Sequence, residues 1–214
     1  MQLLPSSKKI VIVGGGAGGL ELATRLGAKS KKTSAIEIIL VNPTLTHLWK
    51  PLWHEVAAGT LDYQADEVNL LVHAHKHHFR FALGRMTGLD RNQKKIFLSA
   101  IRDENDTEIL PERALAYDLL VIAVGSLAHD FRIPGVSAHC AFLDSRAQAA
   151  LFHQQFLNAL LSHQAQGGSQ EKSTLTIGIV GGGATGVELA AELHFAAQQA
   201  FHYQTATSHQ GFAV

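Results

Sequence analysis

At 214 residues, 46% hydrophobic and 17% charged, the chain suits one large globular domain or two small ones. Eighteen basic residues balance eighteen acidic ones, which excludes the electrostatic footprint of a nucleic-acid binder. One cysteine, Cys140, excludes an internal disulfide and fits a reducing compartment, and no apolar run approaches the ~18 residues of a membrane span.

The N-terminal MQLLPSSKK lacks the length and order of a signal peptide. Ile10 to Val13 then forms a β-branched run, the pattern of a strand buried on both faces of a parallel sheet. It enters Gly14-Gly15-Gly16-Ala17-Gly18-Gly19 and an apolar helix pattern (Leu20, Ala23, Leu26) expected to stop at Gly27. Gly14, Gly16 and Gly19 fit GxGxxG: one glycine for the tight turn, one for close approach of a pyrophosphate, one for helix–strand packing. Ala17 and Gly18 lie at the helix mouth, whose free N–H groups and dipole favour phosphate. The stretch reads as an adenine-dinucleotide site.

Lys29 to Ser34 reads as a basic loop and Ile36 to Val41 as the second strand. An acidic residue for the ribose hydroxyls is expected about 20 residues past the glycines, and Asn42 stands there instead. It keeps hydrogen-bonding capacity without the charge-assisted strength of a carboxylate. Thr46 to Asp62, THLWKPLWHEVAAGTLD, is too polar and irregular for a plain core helix. It reads as a wall of aromatic and basic groups, including Lys50, beside a cofactor ring, against the plainer alternative of a surface loop and an amphipathic turn. Val68 to His78 looks helical. Its four histidines lack a completing carboxylate or thiol, so a solvated helix end is expected there and no metal site.

Phe79 to Leu83 is a short strand, and the segments from Arg85 to Tyr117 suggest an antiparallel meander. Asp118 to Gly125 is a further buried parallel strand, with Gly125 placed to approach a cofactor. A meander inserted into a doubly wound sheet is the layout of a flavoprotein. Ser126 to Phe142 reads as loop, with a turn at Pro134-Gly135. Ser145 and Gln148 form a capping box before a helix whose apolar face carries Phe152, Phe156 and Leu160, ended by a joint at Gly167-Gly168-Ser169.

Thr174 to Val180 then repeats the strand pattern, and Gly181, Gly183 and Gly186 repeat the fingerprint before a helix from Val187. Two copies are far more specific than one, and they predict a chain built for two dinucleotides. Gln198 to Gln210 reads as polar and turn-rich. Gly211 to Val214 looks like the opening of another strand, so the chain is expected to be an N-terminal portion of something longer.

KKIVIVGGGAGGLELATRLG, HLWKPLWHEVAAGTLD, AYDLLVIAVGS and IGIVGGGATGVELAAEL together resemble the single-subunit, type II NADH:quinone oxidoreductases, the respiratory NADH dehydrogenases of bacteria. The resemblance implies a two-dinucleotide α/β flavoprotein: a Rossmann-like FAD domain with the meander over 1–125, and the beginning of a Rossmann-like NADH domain over 126–214. It implies FAD cradled by Gly14, Gly16 and Gly19, Asn42 at the ribose position, Lys50 by the isoalloxazine, and Gly125 closing over the cofactor. It also implies NADH held by Gly181, Gly183 and Gly186, with Glu188 near the nicotinamide–flavin contact. Electrons would pass from NADH through FAD to a membrane quinone without proton pumping, at the cytoplasmic face of a bacterial inner membrane or in the cytoplasm.

The family's later FAD-contacting motif, quinone segment and amphipathic membrane anchor are not found in these residues. Disulfide and sulfide:quinone reductases require more cysteines than Cys140. A ferredoxin or rubredoxin reductase and an inactive nucleotide-binding fragment stay open, and oligomeric state is undetermined, a homodimer included.

Overall fold

The computed structural model describes residues 7–31, 35–166 and 175–204. In chain order the elements are β1 (Lys8–Val13), α1 (Ala17–Ser30), β2 (Ile36–Asn42), β3 (Thr46–His47), a 3-10 turn (Lys50–Leu52), α2 (Trp53–Ala58), α3 (Tyr63–Asp66), β4 (Val68–Asn69) and α4 (Leu70–Lys76). There follow β5 (Arg80–Leu83), β6 (Met86–Asp90), β7 (Lys95–Leu98), β8 (Ile101–Arg102), β9 (Glu108–Leu110), β10 (Arg113–Ala116), β11 (Leu119–Ile122), α5 (Val136–His139), α6 (Arg146–Gln166) and α7 (Ala184–Gln204). They divide into two compact units, Met1–Leu48 with Glu67–Ser126 and Trp49–Asp66 with Leu127–Val214.

The first unit is a parallel sheet in the order β11-β1-β2-β5, with Val13 opposite Val41 and Ile122. Strand alternation sorts its side chains into two cores. Ile12, Ile38 and Leu40 meet Leu20, Ala23, Leu70, Ala74 and Phe79 on the helix side. Val11, Val13, Ile39 and Val41 meet Ile96 and Leu98 of the antiparallel β10-β7-β6 sheet on the other. The continuous β-branched runs thus mark strands covered on both faces, and the meander supplies the second cover. Phe79 to Leu83 contributes the fourth parallel strand, β5.

Three expectations in this unit change. Strand β11, expected to be buried, ends the sheet among the described residues, with only one neighbouring strand, and leaves Leu119 and Ile122 more than half exposed. Helix α1 continues past Gly27 to Ser30, because Gly27 serves a close approach: a Cβ there would lie 2.2 Å from the His77 carbonyl oxygen. Val68 and Asn69 pair with Thr46 and His47 rather than opening the helix, and Asn69 caps α4 by accepting from the Leu71 and Val72 amides.

In the second unit α2 packs against both α6 and α7. His54, Val56, Ala57 and Ala58 are buried, as are Ala149, Phe156 and Leu160 of α6 and Leu189, Leu193 and Ala197 of α7. The HLWKPLWHEVAA stretch therefore contains a short core helix, which its polar composition hid. Small Ala57 and Ala58 are what allow two helices to close on it. Phe156 and Leu160 confirm the predicted face of α6. Ser145 Oγ accepts from the Gln148 amide, but Gln148 Oε1 reaches back to the Asp144 amide, one residue before the expected partner.

The expected strand up to Val180 is not formed along 177–182: these residues have no ladder partner among the described residues, and Val180 is 88% exposed. A strand is defined by its neighbours, and an apolar β-branched run without one stays merely extended. Residues 198–204, expected to be turn-rich, continue α7. Val136–His139 forms a single helical turn, α5, inside the expected loop. The Gly167 to Ser169 joint, Thr174 and the stretch from 205 onward lie outside the described residues. No helix among the described residues is long and apolar enough to cross a membrane.

Candidate functional site

In the first unit the site grows from the carboxyl ends of β1, β2 and β11. Gly14 adopts φ +110°, and a Cβ on it would lie 2.3 Å from the Ala123 carbonyl oxygen, so only glycine makes this turn against β11. Gly19 abuts the turn from the helix side: its Cβ would stand 1.9 Å from the Gly14 oxygen. Gly16 precedes α1 as its N-cap without a capping side chain, no acidic residue occupies the first turn, and a Cβ at Gly16 or Gly18 would meet nothing within 4 Å. The mouth of α1, with Ala17 at its first position, thus presents uncapped N–H groups to open space. A diphosphate fits these features, since bare backbone donors and room for phosphate oxygens coincide.

Asn42 ends β2 beside this turn. Its Oδ1 accepts from the Gly15 amide at 2.8 Å and its Nδ2 donates to the Thr44 oxygens. Both donors are committed, leaving one lone pair on Oδ1 for a further donor. Gly125, three residues past β11, has φ +74° with nothing within 4 Å of a Cβ. All of Gly14, Gly16, Ala17, Gly18, Gly19, Asn42 and Gly125 therefore lie beyond the carboxyl edge of one parallel sheet, where open α/β sheets bind their ligands.

The second unit repeats the elbow. Gly181 has φ +119°, a Cβ on Gly186 would lie 2.0 Å from the Gly181 oxygen, and Val187 N–H donates to the Gly183 oxygen as Leu20 N–H does to Gly16. This is the same turn-to-helix geometry built twice. It differs in its backing: a Cβ at Gly181 would meet nothing within 4 Å, so among the described residues no strand braces it as Ala123 braces Gly14.

Glu188 lies one turn into α7, with Oε2 3.6 Å from His54 Nδ1, and Glu192 accepts from Thr60 Oγ at 2.6 Å. Lys50 donates to Asp144 Oδ1 at 2.9 Å, and both Asp144 oxygens also accept from the Ala128 amide. Sequence reasoning missed Asp144, which directly precedes the helix cap at Ser145 and carries no signal until the tertiary contacts form. His54, expected with His47 and Lys50 in the aromatic and basic wall, is instead buried in α2.

In the histidine cluster, Thr24 gives its single hydroxyl hydrogen to the Leu20 oxygen. His73 Nε2, 2.8 Å away, must therefore be the donor to Thr24. The ring also packs on His77 and Phe79. Burial, then the neighbouring His77 and Lys76 charges, lower the His73 pKa; burial does the same to His47. No three His, Cys, Asp or Glu side chains converge on a metal position among the described residues.

Comparison with known proteins follows the same lines. The family model for pyridine nucleotide-disulphide oxidoreductases matches residues 8–206. The type II NADH:quinone oxidoreductase of Haemophilus influenzae is 40% identical over 92% of this chain and 47% of its own length. The external alternative NADH-ubiquinone oxidoreductase of Yarrowia lipolytica mitochondria is 27% identical over 88% of this chain and 32% of its own. The chain thus spans less than half the length of these curated relatives. The solved NDH2 of Plasmodium falciparum in complex with NADH shares the fold at TM-score 0.72 and 24% identity, over 92% of this chain and 39% of that one.

Proposed function

Because the chain belongs to the pyridine nucleotide-disulphide oxidoreductase family, we propose that it carries the dinucleotide-holding parts of an FAD-dependent NADH:quinone oxidoreductase. The observation that carries the reading is the duplicated elbow, Gly14 to Gly19 and Gly181 to Gly186, with positive φ at Gly14 and Gly181 and the same close approach of Gly19 and Gly186 to the turn oxygen. The type II relatives supply the choice of NADH and quinone as substrates.

On this reading residues 1–125 hold FAD and 126–214 hold NADH, with the 49–66 excursion compacting alongside 127–214. Gly14, Gly16, Ala17, Gly18 and Gly19 give the diphosphate a backbone cradle in which the dipole of α1 offsets its charge. Asn42 offers its remaining lone pair to a ribose hydroxyl. Gly125 leaves the cofactor room at the end of β11. FAD, when bound, supplies a hydride acceptor able to pass two electrons to a quinone. Lys50, steadied by Asp144, is assigned to the ring, where its charge favours an anionic reduced flavin. Gly181, Gly183 and Gly186 are assigned to the NADH diphosphate and Glu188 to the nicotinamide end. The reaction would take place at the cytoplasmic face of a membrane, where quinone is met.

The test is direct. Chain mixed with FAD and freed of excess should stay yellow, with an absorbance band near ~450 nm, and anaerobic NADH should bleach it. A colourless protein overturns the FAD assignment; a yellow one that NADH leaves unbleached overturns the dehydrogenase reading.

A further inference from the structure

The second unit buries one titratable side chain that the scheme above leaves idle. His54 is 8% exposed, and among the described residues its Nδ1 is buried without a hydrogen-bond partner. Glu188 Oε2 lies 3.6 Å from that nitrogen, and Glu55 Oε1 lies 3.8 Å from Nε2. An orphaned polar atom in a packed interior costs stability, and a small closure of this gap would relieve it. Elsewhere in the unit, His153 Nδ1 of α6 is also buried without a partner among the described residues, and Glu192 of α7 accepts from Thr60.

The position of Glu188 gives the contact its meaning. Its carboxylate sits one helical turn from the Gly181 to Gly183 elbow, on a side chain 49% exposed. A carboxylate so near a mouth suited to a diphosphate meets a like charge and gains from being held aside. Helix α2 is itself fixed: Gly59 ends it at φ +82°, and Thr60 ties it to α7 through Glu192. The imidazole is therefore a rigid post, while the carboxylate has one free face.

We propose that His54 is the positioning residue for Glu188: donation from Nδ1 holds the carboxylate in the orientation that accepts a hydrogen bond from the ribose or carboxamide donors of a bound nicotinamide dinucleotide. The inference rests on reading the second elbow as the NADH site. His54 touches neither substrate nor cofactor, and acts through Glu188.

The experiment is a double-mutant cycle on NADH binding, followed by NADH fluorescence, in the full chain with His54→Leu, Glu188→Gln and the pair together. Each single change should weaken binding by about tenfold, and the pair by no more than the worse single. His54→Asn, which keeps a donor at the δ position, should bind like wild type. Additive losses, or His54→Asn behaving like His54→Leu, overturn the proposal and make His54 a packing residue. Should His54→Leu fail to fold, His54→Phe keeps the ring volume and takes its place. Wild-type chain that does not bind NADH overturns the dinucleotide reading and this role with it. The same cycle read by urea unfolding then reports separately whether the two side chains are coupled.

Discussion

Gly16 and Gly19 separate what the elbow does for folding from what it does for binding. At Gly19 an added methyl would press on a backbone oxygen that cannot move aside. Gly19→Ala should therefore cost about 3 kcal/mol in unfolding free energy, read by urea titration. At Gly16 the same methyl enters open space with φ −73°, so Gly16→Ala should change stability by less than about 1 kcal/mol. Its methyl would nevertheless occupy the room a phosphate oxygen needs, and FAD retention should fall tenfold or more. A Gly16→Ala chain that still turns yellow would remove the phosphate from this mouth.

His47 and His73 give the residue scale a pH signature. Both have folded pKa values below the usual 6.5, burial being the first cause in each. The unfolded chain then binds more protons than the native one as pH falls below about 6.5, so stability rises with pH across that window and is lost on acidification. Unfolding midpoints measured from pH 8 down to 5 should decline, and His73→Asn, which removes one of the two groups, should make the decline shallower. A flat profile would show that neither ring is desolvated.

At the scale of elements, Gly59 pins α2. Its φ of +82° places a Cβ 2.1 Å from His153 Cε1, so Gly59→Ala carries left-handed strain and a clash with a side chain of α6. The strain alone is about 1 kcal/mol. The clash falls on the end of a movable ring, so Gly59→Ala should cost about 2 kcal/mol, and His153→Ala in the same chain should recover the part above the strain.

This neighbourhood also shows where legibility ran out. The first parallel sheet was readable because β1, β2 and β11 are predominantly aliphatic runs, β1 wholly β-branched after its lysines, that lead into glycines or turn residues, a local signal. Helix α2 was not, because its burial depends on packing by α6 and α7, which lie far along the chain. The strand before Gly181 shows the converse failure. Its pattern is as strong as that of β1, but a pattern names only a willingness to pair. Asn42 was legible as an anomaly at a ribose position, while its bonds to Gly15 and Thr44 could be seen only once the loop was closed.

For the molecule as a whole, charge and exposed apolar surface act together. The formal net charge is zero at pH 7 with 13 histidines neutral, so no long-range repulsion keeps copies apart. Among the described residues, strand β11 is the terminal strand of its sheet, and Leu119 and Ile122 on it are 55% and 57% exposed. An apolar edge strand on an uncharged molecule is a template for pairing with another chain. Light scattering near neutral pH should therefore rise with concentration. Ile122→Lys should suppress it, because a lysine on an edge strand costs little in the fold and makes edge-to-edge approach electrostatically unfavourable. Mild alkali offers an independent check. It adds net negative charge while leaving His47 and His73 in their stable neutral forms, so association should fall without loss of fold. Scattering that Ile122→Lys leaves unchanged, but alkali abolishes, would move the contact away from β11.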